Sequence, residues 1–408
     1  MATIGTIGWR RLPDQRQSVV FFCNALDDRT RIERGITTDS PAASRKVFQL
    51  ARAARLAGLR AIVVSLGRGR ADGSAMYDGR RVRRAHGAVI VYLPFSHRRG
   101  VSQLLSLTAS LPLLARLRTF RGRETIVFYN REPAYLLALV FARLLGFRTA
   151  LDLEDGDVAR SPARGLRPRA RFFRWTFDHL CNGGALVATR ALAAATHLRP
   201  VLPCYGSADA RTTAPDWSSR SLTLLLGGSV MRETGAELLA EAVRTMRASG
   251  EPWCRDVCLV VTGKGDGMGL FERLSSEPGL PSVSVAGRLS DTEYDAVLAK
   301  AHVGLALKLN NGTLAGTTFP SKVIEFTSHG LLVLTTDISD VREVLGEGAV
   351  YLERDEPALL VERVREIVAD RQRAARIAVA GQETTRLRCA PAAVGSALRR
   401  FVEAPEAP

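Results

Sequence analysis

Lysine is nearly missing from this chain. It stands only at positions 46, 264, 300, 308 and 322, so arginine carries almost all of the formal net charge of +16. Such a surface favours polyanions: anionic lipid headgroups, nucleotide diphosphates or nucleic acid. Among these, nucleic acid is not an expected partner, because no recognition motif and no clustered aromatic platform accompanies the charge. Cysteine is sparse and unpatterned. Cys23, Cys181, Cys204, Cys254, Cys258 and Cys389 include no CxxC pair and have no histidine at ligand spacing. They read as free thiols of a reducing cytoplasm, and Cys254 and Cys258 as helix-edge or strand residues. Long hydrophobic runs are absent too. The most apolar stretches, 104–117 and 133–147, are too short to span a bilayer, and the second contains Arg143. Residues 1–17 are polar, with Arg10, Arg11 and Arg16, and have no apolar core of signal-peptide length. A protein with no membrane-spanning segment is expected.

What is present is a repeating alternation. Apolar runs at 19–22, 61–65, 88–92, 125–129 and 149–153 alternate with helical patterns at 42–58, 101–118 and 134–146. Repeated β-α-β of this kind argues for a parallel sheet covered on both faces. A polar stretch at 206–220, rich in Ser, Thr, Asp and Pro, reads as a linker. Beyond it the strands recur at 222–226, 257–261, 283–285 and 303–307, with helices at 235–248, 270–275 and 292–301. The expectation is α/β, with two Rossmann-like, doubly wound domains at 1–205 and 221–390. Ligands of such sheets lie in the crevice at the strand C-terminal ends.

The most informative segment is Thr317-Thr318-Phe319-Pro320-Ser321-Lys322-Val323-Ile324-Glu325-Phe326-Thr327-Ser328-His329-Gly330. It reads as loop, short helix and C-cap between two strands. Pro320 suits the first helical turn and Gly330 the C-terminal cap. Unpaired N–H groups at such a helix start suit a diphosphate, and Ser321 and Lys322 add a hydroxyl and a cation there. Glu325, four residues after Ser321, could accept hydrogen bonds from a ribose diol. Lys322 and Glu325 could equally be a solvated ion pair. Gly227-Gly228-Ser229 follows the first strand of the second half, where glycines let backbone amides approach a phosphate. Arg232 just beyond is either a phosphate-binding cation or a solvated loop arginine. Gly263-Lys264 and Gly287-Arg288 close the next two strands. In the first half, Asp39 or Ser40 is expected to cap the helix that follows. Asp152, Glu154, Asp155 and Asp157 cluster at a strand end, where Asp155 could take a proton or accept a hydrogen bond. Asp155 with Asp157 as a metal site is the weaker alternative. Arginines 160, 164, 167, 169, 171 and 174 interleave with Phe172, Phe173, Trp175 and Phe177. That mixture suits an anionic membrane interface, or else a basic loop before a core helix.

The order of these motifs from 222 to 345 resembles the donor-binding domain of retaining glycosyltransferases of family 4, which have the GT-B fold; the first half resembles them only loosely. The resemblance implies transfer of a hexose from a nucleotide-diphosphate sugar to a glycan or polyprenyl-diphosphate-linked acceptor in cell-surface polysaccharide biosynthesis. It implies no metal, no cofactor, and a last helix in 391–408 that crosses back onto the first domain. By the same resemblance Glu325 holds the ribose. Thr317, Thr318, Phe319, Ser321, Gly228, Ser229, Gly263, Lys264 and Arg288 line the donor, Gly35 approaches its phosphates, and Lys322 serves the chemistry; Arg232, between the places of the family's loop cations, and Asp155, at a strand end where many relatives carry histidines, are this chain's own candidates to serve it with Lys322. Three positions depart from the family pattern: Thr317 replaces its first acid, and Ser229 and Thr234 replace its loop cations. A sugar-nucleotide epimerase on the same fold and a non-catalytic sugar-nucleotide binder are the alternatives. The basic charge predicts peripheral attachment to the cytoplasmic face of a membrane.

Overall fold

The computed structural model describes residues 17–36, 39–66, 81–85, 87–94, 101–118, 124–154, 168–211, 214–310 and 315–405. The first half runs β1 (Ser18–Cys23), α1 (Asp28–Glu33), α2 (Pro41–Leu56), β2 (Arg60–Ser65), β3 (Arg81–Ala85) and β4 (Ala88–Tyr92). It continues through α3 (Val101–Arg118), β5 (Glu124–Tyr129), α4 (Leu136–Leu144), β6 (Arg148–Leu153), α5 (Pro168–Leu180), β7 (Ala185–Val187) and β8 (Val201–Pro203). These strands form one sheet in the order β3-β4-β2-β1-β5-β6-β7-β8. Every pairing is parallel except β3 with β4, an antiparallel edge. β1 has no exposed residue, since both of its faces are covered, and that is why it reads as an unbroken apolar run.

The second half runs β9 (Leu222–Ser229), α6 (Ala236–Ser249), β10 (Val257–Lys264), α7 (Met268–Ser276), β11 (Ser282–Gly287), α8 (Asp291–Leu298) and β12 (Val303–Ala306). Then come α9 (Lys322–Ser328), β13 (Leu332–Thr336), α10 (Val341–Leu345), β14 (Val350–Leu352), α11 (Pro357–Ala369), α12 (Arg371–Cys389) and α13 (Pro391–Glu403). Its sheet is wholly parallel, in the order β11-β10-β9-β12-β13-β14. β9 and β12 are neighbours although β10 and β11 lie between them in sequence. The order therefore reverses beside β9, the kind of switch point at which an open α/β sheet leaves a crevice.

α13 belongs in space to the first domain. Gly395 lets it lie on α2, for a Cβ there would come within 2.2 Å of the Ala53 carbonyl oxygen. Arg148 then donates to the carbonyls of Phe401, Val402 and Ala404 at its C-terminal end, where a cation is electrostatically favoured. The two halves also meet near 205. There Tyr205 Oη donates to Asp340 at 2.9 Å and the Arg190 amide donates to the same carboxylate at 2.7 Å.

Candidate functional site

Where β9 and β10 end, the second sheet presents backbone to the cleft. β9 and β10 pair in register through Gly228 with Gly263 and Ser229 with Lys264. Gly263 has φ +121°, and a Cβ on it would stand 1.8 Å from the Gly228 carbonyl oxygen, so only glycine fits. Gly228 has φ +104°, and a Cβ there would meet Lys322 Cε at 2.9 Å. The bare backbone at the end of β9 is thus the surface on which the Lys322 stem lies.

Lys322 opens α9. Pro320 and Ser321 lie just before the helix rather than in its first turn, and Ser321 makes no capping bond through its side chain. From this position Lys322 Nζ donates to Tyr294 Oη at 2.9 Å and to Glu325, and lies 4.7 Å from the centre of the Tyr294 ring. Glu325 also accepts from Tyr294 Oη at 3.3 Å and from Arg45, which reaches across from α2 of the first domain. Arg45 in turn lies 3.5 Å from Asp291 at the start of α8. The Lys322–Glu325 pair therefore exists, but it is not a solvated surface pair: the Glu325 side chain is 15% exposed and has three partners. Burial works against the Glu325 carboxylate, yet Lys322 and Arg45 together hold its pKa below the ordinary value. Burial lowers that of Lys322, with Arg45 adding to the effect and Glu325 opposing it. Burial, reinforced by Glu325, pushes Tyr294 well up, so it stays a neutral phenol able both to donate and to accept.

A second cross-cleft contact joins Asp39 to Lys264 at 3.5 Å and to Arg288 at 3.3 Å. This corrects the expected cap. Ser40 is the N-cap residue of α2 and makes no side-chain cap bond, while Pro41 sets φ for the first turn. Asp39, with its carboxylate almost wholly buried, turns instead to the two cations of the other domain.

In the first sheet, Asp152 and Glu154 at the end of β6 both accept from Lys46 of α2. Asn130, with φ +58°, accepts the Glu154 amide at 2.8 Å. Asp152 Oδ2 is buried and has no hydrogen-bond partner.

The remaining expected residues scatter. Arg232 is 77% exposed and pairs with Glu237 at 3.2 Å, outside the Lys322 cluster. Thr234 accepts from the Met231 amide and donates to the Ser229 carbonyl oxygen at 2.7 Å, closing the turn where the family pattern has a lysine. Ser229 is exposed. Phe319 is buried with its ring 4.8 Å from that of Tyr205, and Thr318 is buried beside it. Thr317 Oγ1 is buried and has no hydrogen-bond partner. Gly35, with φ +58°, ends the turn after α1. Asp155 and Asp157 lie outside the described residues. Among the described residues no group of three or more His, Cys, Asp or Glu could hold a metal ion.

Arg45, Tyr294 and Lys46 are the members that sequence reasoning did not single out. Arg45 meets a partner 280 positions away, and no local spacing announces such a pair. Tyr294 stands in the first turn of α8, four residues after its N-cap Ser290, a place that assigns it no partner in advance.

Residues 221–388 match the family model of "Glycosyl transferases group 1". No curated protein sequence matches the chain. Among solved structures, Anabaena Alr3699/HepE in complex with UDP and glucose is similar over 96% of this chain and 100% of that one, with TM-score 0.67 and 14% identity. The alpha,alpha-trehalose 6-phosphate synthase of Burkholderia multivorans covers 95% of this chain and 96% of its own, with TM-score 0.64 and 12% identity. The sucrose-phosphate synthase tll1590 of Thermosynechococcus elongatus covers 94% and 98%, with TM-score 0.63 and 13% identity. The architecture is GT-B, and residues 221–388 in its second half are similar to group 1 glycosyl transferases.

Proposed function

We propose that this chain is a retaining glycosyltransferase of family 4 that moves a hexose from a nucleotide-diphosphate sugar to a hydroxyl of a glycan or lipid-linked acceptor. The observation that carries the reading is Lys322 laid over Gly228 at the end of β9, with Glu325 one turn on. A cation beside bare backbone suits a departing diphosphate, where preorganised charge does most of the catalytic work. Glu325 receives the ribose diol once it exchanges Arg45 for the ligand. UDP is the nucleotide favoured, because the structure of Alr3699/HepE holds it. The leaving phosphate itself assists deprotonation of the acceptor, so the reaction runs without a metal. A thermal-shift screen of nucleotide sugars, followed by transfer assays on lipid-linked acceptors with and without a chelator, tests this. Stabilisation by UDP-sugars, and transfer that survives chelation, are expected. Activity lost to a chelator and restored by manganese would overturn the metal-free route.

The site of action is the cytoplasmic face of a membrane, in polysaccharide biosynthesis. Support comes from α5, where Phe172 and Trp175 are 55% and 59% exposed while Phe177 is buried in the core. Arg171 on the same helix is exposed. Binding to anionic vesicles that falls steeply with salt is the expected result, with neutral vesicles binding poorly. A non-catalytic sugar-nucleotide binder is the second reading, favoured by Thr234 filling a cation's place; donor binding without hydrolysis or transfer would establish it.

A further inference from the structure

Lys46 is shared by two carboxylates, so the cluster around it keeps a net negative charge. Its Nζ donates to Asp152 Oδ1 at 3.3 Å and to Glu154. The side chains of Lys46 and Asp152 are 10% and 2% exposed, so little water screens them, while that of Glu154 is 19% exposed and open to a ligand. Asp152 Oδ2 is buried with no hydrogen-bond partner, an oxygen left short of a donor. Beyond Lys46 the Glu154 carboxylate has no partner either among the described residues. One ammonium therefore answers two acids, and both acids keep acceptor capacity in reserve.

The cluster stands at the crevice of the first sheet. Strand order reverses between β1 and β5, because the chain builds from β1 to β2 and β4 on one side and then returns to add β5 and β6 on the other. Glu154 follows the C-terminal end of β6, one strand from that reversal. The end of β5 ties it down. The Asn130 amide donates to the Asp152 carbonyl oxygen at 2.8 Å, and Asn130 Oδ1 accepts the Glu154 amide at 2.8 Å. Asn130 adopts φ +58° in doing so, a left-handed backbone uncommon outside glycine. Both the backbone and the carboxylate of Glu154 are thus held in one place. One strand over, a void of about 10 Å³ lined by Cys23, Ser40, Ala43 and Tyr129 has room for a single hydroxyl-sized group. The helix α2 links this acid to the second domain: Arg45 reaches across to Glu325, and Lys46, the next residue, turns inward to Asp152 and Glu154.

We propose that Glu154 is a specificity residue for the transferred sugar: its carboxylate accepts hydroxyls of an uncharged hexose, and the negative charge it shares with Asp152 excludes hexuronates. This rests on the transferase reading above and narrows its donor class. With the ribose at Glu325 and the diphosphate over Gly228 and Lys322, the sugar beyond the diphosphate is the part of the donor left to meet the first domain. A hexose hydroxyl brings the hydrogen that these oxygens lack. A sugar carboxylate brings another acceptor and a like charge into a poorly screened place, and repulsion of this kind is an effective way to reject a near-identical ligand.

The test is titration calorimetry on the full chain with UDP, UDP-glucose and UDP-glucuronate. The wild type is expected to bind UDP-glucose at least about tenfold more tightly than UDP-glucuronate. Glu154→Gln keeps the shape and removes the charge. The ratio should then fall to about threefold or less, chiefly because UDP-glucuronate binds better, while UDP affinity stays as it was and so reports an intact fold. Asp152→Asn removes charge from behind, on a side chain too buried to touch the sugar, and should lower the ratio by a smaller factor. A purely steric role for Glu154 would leave the ratio unmoved there. Equal affinity for the two sugars in the wild type, which needs no variant to fold, overturns the proposal, and so does discrimination that survives Glu154→Gln. If UDP binds and the ratio ignores Glu154, only this proposal falls; if UDP itself does not bind, the transferase reading falls and takes the proposal with it.

Discussion

The two domains face each other with opposite materials. On the second domain glycines stand next to the ends of β9 and β10, and the close contacts there are backbone on backbone: Gly263 on Gly228, and Gly265 on Val230, where a Cβ would come within 2.0 Å of the carbonyl oxygen. On the first domain the same level of the sheet carries charged side chains: Arg45 and Lys46 from α2, Asp39 before it, Asp152 on β6 and Glu154 just after it. A surface made of backbone has one shape and admits a phosphate closely. A surface made of ion pairs can exchange partners, as Arg45 and Asp39 must if a ligand is to reach Glu325, Lys264 and Arg288. One side is a mould and the other a set of movable charges.

The sharpest test of that contrast is to add a single methyl group to the mould. Gly263→Ala should cost about 3 kcal/mol in urea unfolding, combining a strained backbone with overlap against Gly228. Ser40→Ala, on the opposite lip, should cost less than about 0.5 kcal/mol, because its hydroxyl caps nothing. Equal losses at the two positions would erase the distinction. Next in size comes Lys322→Ala, expected to lower kcat by about 10²-fold while changing the UDP dissociation constant much less. Wild-type turnover in that variant would remove Lys322 from the chemistry.

The same contrast decides what could be read in advance. Glycine turns leave a written trace, since Gly228 and Gly263 are local necessities, and the Pro320–Gly330 segment punctuates a short helix. The parallel halves followed from apolar runs buried on both faces. Polar elements escaped: β3 holds three arginines in five residues at an edge, and α12 is a long helix of low amphipathicity. The cross-cleft pairs escaped for a different reason. Asp39 looked like a cap because it precedes a helix, and its cations lie 225 and 249 positions away. Arg45 and Lys46 are adjacent on one helix yet serve different domains, and only the tertiary fold separates their tasks.

A pH titration sharpens the electrostatic half. Glu325 is held below the ordinary glutamate value of 4.5 in the folded chain, against burial, by Lys322 and Arg45. The folded state therefore binds this proton less readily than the unfolded chain. Its contribution is complete above about pH 4.5 and is lost as pH falls through the depressed value. Glu325→Gln has no such proton to bind. The unfolding free energy of the wild type should consequently drop more steeply below pH 4.5 than that of the variant. Parallel curves would mean that the pair does not couple to folding.

The smallest effect expected is the most telling about movable charge. Asp39 pairs with Lys264 and Arg288, two cations that border the proposed donor site, and it comes from the opposite domain. A nucleotide diphosphate arriving between the domains must compete with this carboxylate for both. Asp39→Asn keeps the side-chain shape and removes the competing charge. Both cations are partly exposed, so each pair is screened and contributes well under 1 kcal/mol. UDP should then bind about twofold to fivefold more tightly in the variant, with the gain shrinking as salt rises. Weaker UDP binding in Asp39→Asn would reverse the assignment. Asp39 would then be a group that positions Lys264 and Arg288 for the ligand, and the first domain would contribute to the mould itself.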